Sequence, residues 1–205
     1  MELARVTVAG WVVVTLVVGA VSTGCPNGNK TSSPSSSEAS SSTGSSAGSG
    51  TAAPTAQPTD YSALLIKASD IGGDFNASQP PVLNPNGASG VAQLFANPDN
   101  SRRLGVTILI AADPSAAAVG LDNTKTNYGS KVSGAWQPVD VGSNGALVSG
   151  TAPDNSQAIT VLLFTEGKAL VNLEFDSAPN DPIDADVAKD IGRKQDVAIK
   201  KGLPS

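Results

Sequence analysis

Histidine is absent from all 205 residues, and cysteine occurs once, at position 25. Without His there can be no Ser-His-Asp triad, no imidazole proton transfer and almost no zinc or iron site. A single Cys excludes an internal disulfide. Basic residues are scarce, 13 Lys and Arg against 18 Asp and Glu, for a net charge of −5. An acidic chain of this kind argues against nucleic acid binding and against a polybasic grip on anionic lipid. Between Asp60 and Ser205 there is no G-x-S-x-G elbow, no S-x-x-K dyad and no glycine loop of the kind that cradles phosphate. No catalytic residue, metal ligand or cofactor is therefore expected. The longest apolar run, Val6 to Val21, is broken by Thr7, Gly10, Thr15 and Gly19. It falls short of the ~20 apolar residues that a spanning helix needs.

That run suits the apolar part of an export signal, with small residues at the cut site behind it. The sequence Val21-Ser22-Thr23-Gly24-Cys25 resembles the lipobox of bacterial lipoproteins. The resemblance implies cleavage between Gly24 and Cys25 and acylation of the Cys25 sulfur. The chemistry suits a thiol, because thioether formation with a diacylglycerol needs a strong nucleophile. The chain departs from the family pattern in placing Ser22, not Leu, three positions before the Cys. Pro26 follows the Cys directly, and Arg5 is offset by Glu2. A lone Cys in an exported protein otherwise stands as an unpaired thiol, and acylation accounts for it.

The expected organisation is a signal peptide at 1–24, a lipidated Cys and tether at 25–59, and a globular domain at 60–205. The tether is built of Ser, Thr, Gly, Ala and Pro and buries too little apolar surface to offset its ordering entropy. Such a segment acts as a flexible spacer spanning ~30–35 Å, and dense Ser/Thr with Pro also resembles glycosylated stalks. The abundance of Ala, Gly, Val and Asp, together with lipobox and tether, resembles a mycobacterial, or more broadly actinobacterial, cell-envelope lipoprotein. The order of strands and helices is similar to small envelope domains of the LpqN or PsbP-like type. That likeness implies one antiparallel sheet with flanking helices.

The residues themselves point to an α+β domain. Five strands are predicted: Val91 to Ala96, Arg103 to Ala111, Gly145 to Ser149, Ile159 to Thr165 and Lys168 to Asp176. Alternation of Leu104, Val106, Ile108 and Ile110 marks a half-buried strand. Val161 and Leu163 fall on one face of the fourth strand and Leu162 and Phe164 on the other, so this strand should be central and covered twice. Glu166-Gly167 reads as a two-residue hairpin turn. A short helical stretch is expected over Tyr61 to Lys67. A longer helix should open at Asp113-Pro114, bury Ala117, Leu121, Thr124 and Tyr128, and stop at Gly129. A last helix over Ala185 to Lys201 should be capped by Asp184 and turn Val187, Ile191, Ala198 and Ile199 inward. These elements predict a single antiparallel sheet of about five strands with the helices on one side.

Few residues suggest chemistry. Glu174, Asp176, Asp181, Asp184, Asp186 and Asp190 form the one acidic concentration. Their spacing does not fit a calcium loop, and the favourable end of a helix dipole explains Asp184 and Asp186. Arg102-Arg103 could meet a phosphate or carboxylate on a partner, or serve as charges on an exposed sheet edge. Trp136 could anchor an interface or plug the edge of the sheet. The leading expectation is a non-enzymatic binding or sensing domain, lipid-anchored at the outer face of the cell membrane, whose partner is an envelope protein or ligand. The alternative is a carrier holding lipid or glycolipid in an apolar cavity between sheet and helices.

Overall fold

A computed structural model describes residues 59–203. The signal peptide, Gly24, Cys25 and all but the last residue of the tether lie outside the described residues. A 3-10 turn at Ser62–Leu64 falls in the stretch expected to be short and helical, and a one-turn helix α1 (Ala68–Ile71) follows just beyond it. Two-residue strands β1 (Asn76–Ala77) and β2 (Val82–Leu83) follow. Then come β3 (Gly90–Ala96) and β4 (Arg103–Ile110) and, after helix α2 (Pro114–Tyr128), a two-residue strand β5 (Gln137–Pro138) and β6 (Ser143–Thr151). The chain closes with β7 (Ala158–Glu166), β8 (Ala169–Ser177) and helix α3 (Ala185–Gly202).

All eight strands join one antiparallel sheet in the order β1-β3-β4-β8-β7-β6-β5, with β2 also paired to β3. The fold is α+β, but the sheet has eight strands, not five. The extra three are two-residue pairings of exposed chain, without the alternation that reveals a strand. The β7–β8 hairpin slots between β4 and β6, so the chain from β4 must cross two strands to reach β6. Helix α2 makes that crossing on one face.

The helices do not share a side. Leu121 and Tyr128 of α2 pack with Val161, Leu163 and Leu170, whereas Ala188, Ile191 and Ile199 of α3 pack with Leu162, Phe164, Leu173 and Phe175. The period-2 alternation of β7 thus feeds both layers, and eight of its nine residues are buried, as a doubly covered strand requires. The helix starts follow their caps. The Asp113 carboxylate accepts from the Ala116 N–H at 2.8 Å with Pro114 behind it, and Asp184 accepts from the Asp186 N–H at 2.7 Å. The four expected residues of α2 are buried. On α3, Ile191 and Ile199 face inward, but Val187 is exposed and its neighbour Ala188 is buried in its place. The close approach of α3 to the sheet selects Ala188 and Gly192. A Cβ on Gly192 would stand 2.3 Å from Leu162 Cδ2.

The hairpin turn is Gly167-Lys168, one residue later than expected, because Glu166 pairs with Ala169 inside the ladder. Gly167 has φ +51°, a conformation that glycine adopts without steric cost. Glu166 meets Lys200 near the C-terminus of α3 at 3.4 Å. Beside that helix end, a Cβ on Gly202 would contact Leu64. The segment 60–71 is therefore fastened at the hairpin end of the sheet. Gln195, fully buried on α3, holds it there: its Oε1 accepts from the Ile66 N–H at 3.0 Å and its Nε2 donates to the Leu64 carbonyl at 2.6 Å.

Candidate functional site

The opposite end of the sheet gathers three loops. The β3–β4 turn (97–102), the β6–β7 turn (152–157) and the β8–α3 loop (178–184) all leave the ladder where Ala96, Arg103, Asp176 and Ile159 lie in register. The two turns are locked by their own side chains. Asp99 accepts from the Ser101 N–H and hydroxyl at 3.0 and 2.8 Å, and Asp154 accepts from the Ser156 N–H at 3.0 Å. Asn100 and Asn155 take positive φ, 58° and 55°, which Asn tolerates better than most residues. The expected role of Asp99-Asn100 and Asp154-Asn155 as turn formers matches this geometry.

Between the loops opens a shallow recess of about 210 Å³, whose walls include Ser101, Arg103, Ser156, Gln157, Asp176 and Ser177. Three of these side chains form a closed triangle. Arg103 Nη2 donates to Asp176 Oδ2 at 3.1 Å and to Gln157 Oε1 at 3.5 Å, and Gln157 Nε2 donates to Asp176 Oδ1 at 3.4 Å. Ser177 is buried, and its Oγ has no hydrogen-bond partner among the described residues.

One strand pleat along from Asp176 lies a second polar group. Tyr128, 1% exposed, donates its hydroxyl hydrogen to Glu174 Oε2 and accepts from Asn172 Nδ2 at 2.9 Å. Burial, then the Glu174 charge, pushes the Tyr128 phenol far above its ordinary pKa, so it stays neutral. Trp136 packs edge-on against that ring with centroids 6.3 Å apart, and Lys131 Nζ stands 5.5 Å above it. Trp136 is half-buried beside the edge strand β5, so it covers an edge while its ring is braced from inside.

Asp176 has its pKa pushed up to about 6, chiefly by burial and secondly by Glu174, against the opposing pull of Arg103. A carboxyl raised in the folded state binds protons more tightly there than in the unfolded chain. Stability therefore falls as pH rises from about 4 to about 6, and the cost persists at higher pH. Asp176→Asn removes that cost. We expect it to stabilise the protein by about 1 kcal/mol near neutral pH, net of the lost Arg103 pair, and to leave stability unchanged near pH 4. Thermal unfolding at the two pH values checks this. A lower midpoint for the variant at neutral pH would mean that the ion pair outweighs burial.

The residues singled out by sequence are thus placed as follows. Arg103 enters the recess, but from an interior strand between β3 and β8, so it does not guard a sheet edge. Arg102 points to Asp181 at 2.6 Å in an exposed pair beyond the recess wall. The acidic residues do not converge: Glu174 holds Tyr128, Asp176 holds Arg103, Asp181 holds Arg102, Asp184 caps α3, and Asp186 and Asp190 pair with Lys189 and Lys194. Among the described residues no group of three or more His, Cys, Asp and Glu is arranged to hold a metal ion. Gln157, Ser177, Tyr128 and Asn172 were not foreseen as site residues. The period-2 row Asn172, Glu174, Asp176 in an otherwise apolar strand was the available signal for Asn172.

A second recess, about 60 Å³, lies on the β3–β4 side and is lined by Val82, Leu94 and Thr107 among others. The helices approach the sheet closely at two points, Leu162 against Gly192 on one face and Leu170 against Gly120 on the other. No helix of the described residues is long and apolar enough to cross a membrane.

The domain is thus a helix-covered antiparallel α+β sheet with a loop-lined polar recess at one end. No family model and no curated protein matches the chain. Among solved structures it is similar to the extracellular domain of PknH from Mycobacterium tuberculosis, at 11% identity and a TM-score of 0.48, over 71% of this chain and 98% of that one.

Proposed function

We propose that this chain is a bacterial envelope lipoprotein whose folded domain binds or senses a ligand or an envelope protein and does no catalysis. Acyl chains on Cys25 would hold it at the outer face of the cell membrane, with 26–59 as the tether. The observation that carries the binding role is the recess itself: polar side chains from the ends of β4 and β8 and from the β6–β7 turn, beside two turns braced by Asp99 and Asp154. Its ionisable groups are tied to one another, Arg103 to Asp176 and, alongside, Glu174 to Tyr128. The buried Ser177 hydroxyl meets no base that could activate it. Hydrogen-bond recognition fits that arrangement better than nucleophilic chemistry does.

The anchor is supported by Gly24-Cys25 following an apolar leader, and by the need for two acyl chains or two signals in stable membrane attachment. Mass spectrometry of the protein recovered from an actinobacterial host membrane tests it. The expected product begins at Cys25 and carries diacylglycerol, while Cys25→Ser stays uncut at that bond and carries no lipid. A cytosolic protein with its leader intact and a free thiol would end the reading.

A further inference from the structure

We propose that the recess at the loop end of the sheet binds a neutral ligand rich in hydroxyl groups, a sugar or polyol unit, through Arg103, Gln157 and Asp176. This deepens the binding role proposed above and rests on it.

Charge selects the ligand class first. Arg103 and Asp176 are the charged side chains that line the recess, and they neutralise each other at 3.1 Å. An anion would have to take the guanidinium from Asp176, leaving a half-buried carboxylate without its partner, and a cation would do the reverse to Arg103. A neutral ligand leaves the pair intact.

Hydrogen-bond chemistry then selects hydroxyls. Asp176 offers acceptors, Arg103 and Gln157 offer donors, and Gln157 also accepts, all within one triangle. Its two contacts to Gln157, 3.4 and 3.5 Å, are at the long limit of a hydrogen bond, so little is lost when a ligand replaces them. A hydroxyl both donates and accepts, so adjacent hydroxyls can bridge a carboxylate and an amide at once. The recess holds about 210 Å³, room for one sugar ring, and Ala178 supplies a small apolar patch. The shallowness predicts weak binding, with Kd on the order of millimolar.

Backbone-amide NMR of the full chain tests this with D-glucose, D-galactose, D-mannose and myo-inositol, against inorganic phosphate and calcium chloride as charged comparators. The expected result is saturable shifts with at least one of the four polyols, confined to residues 99–103, 155–158 and 176–178. Gln157→Ala should weaken that binding about tenfold while amides remote from the recess keep their positions. Shifts that stay linear to about 100 mM for every polyol would overturn the proposal. So would phosphate or calcium moving the same amides at lower concentration than any polyol. Either failure removes the recess as a sugar site, while the mass of the Cys25 peptide decides the anchored reading separately.

Discussion

Leu162→Ala is expected to destabilise the protein by about 3–4 kcal/mol, the upper part of the range for a buried leucine. Leu162 is fully buried on β7, with strands on both sides and α3 above it. The position opposite it on α3 is Gly192, so no neighbouring side chain on that helix can lean into the space left behind. That absence also makes the prediction sharper than a single deletion. Gly192→Ala alone places a Cβ within 2.3 Å of Leu162 Cδ2 and 3.1 Å of Val141 Cγ1, and should cost about 1–2 kcal/mol by overpacking. In the Leu162→Ala background the same methyl occupies vacated space, so the double variant should be more stable than the sum of the single losses predicts, by about 1 kcal/mol or more. Urea unfolding followed by Trp136 fluorescence measures all three. Strict additivity would show that helix and strand do not interlock at this point.

Replacing Gln195 is expected to have the second large effect, and a regional one. Its side chain closes two backbone groups of the 60–71 segment, the Ile66 N–H and the Leu64 carbonyl, inside the core. Gln195→Met keeps the volume and leaves both groups unsatisfied, at a cost of about 2–4 kcal/mol. Leu64 and Ile66, both buried, lose their position with it, and the surface contact from Lys194 Nζ to the Asp70 carbonyl at 2.9 Å is too exposed to replace it. Hydrogen exchange should therefore rise in residues 60–71 well before the sheet opens. Unchanged protection there would mean that apolar packing alone fixes the segment.

The elements that could be read from sequence are those whose side chains carry a period. β3, β4, β6, β7 and β8 show it, and the double coverage of β7 follows from its two apolar faces. What could not be read is where the second layer sits. Periodicity gives each helix a buried stripe but not the face of the sheet that receives it. Here the insertion of β7–β8 between β4 and β6 requires a crossing, and α2 makes it on the side opposite to α3. Val187 and Ala188 show the same limit at residue scale, because a single large apolar residue outweighs a small one in a pattern while close helix packing prefers the small one. At the recess, Arg103 was visible and Gln157 was not. A lone Gln beside a turn carries no pattern, and its role arises only when Asp176, nineteen residues further along the chain, folds back alongside it.

The two poles of the sheet have a bearing on how the domain stands in an envelope. Segment 60–71, through which a pull from the proposed lipid anchor would pass, docks beside the hairpin tip and the last turn of α3. The recess opens at the far end of the sheet, on the face of α2 beyond Tyr128, and α3, which starts at that end and runs back, spans about 27 Å at 1.5 Å for each of its 18 residues. With the lipid anchor proposed above, the pocket would look away from the bilayer toward the wall.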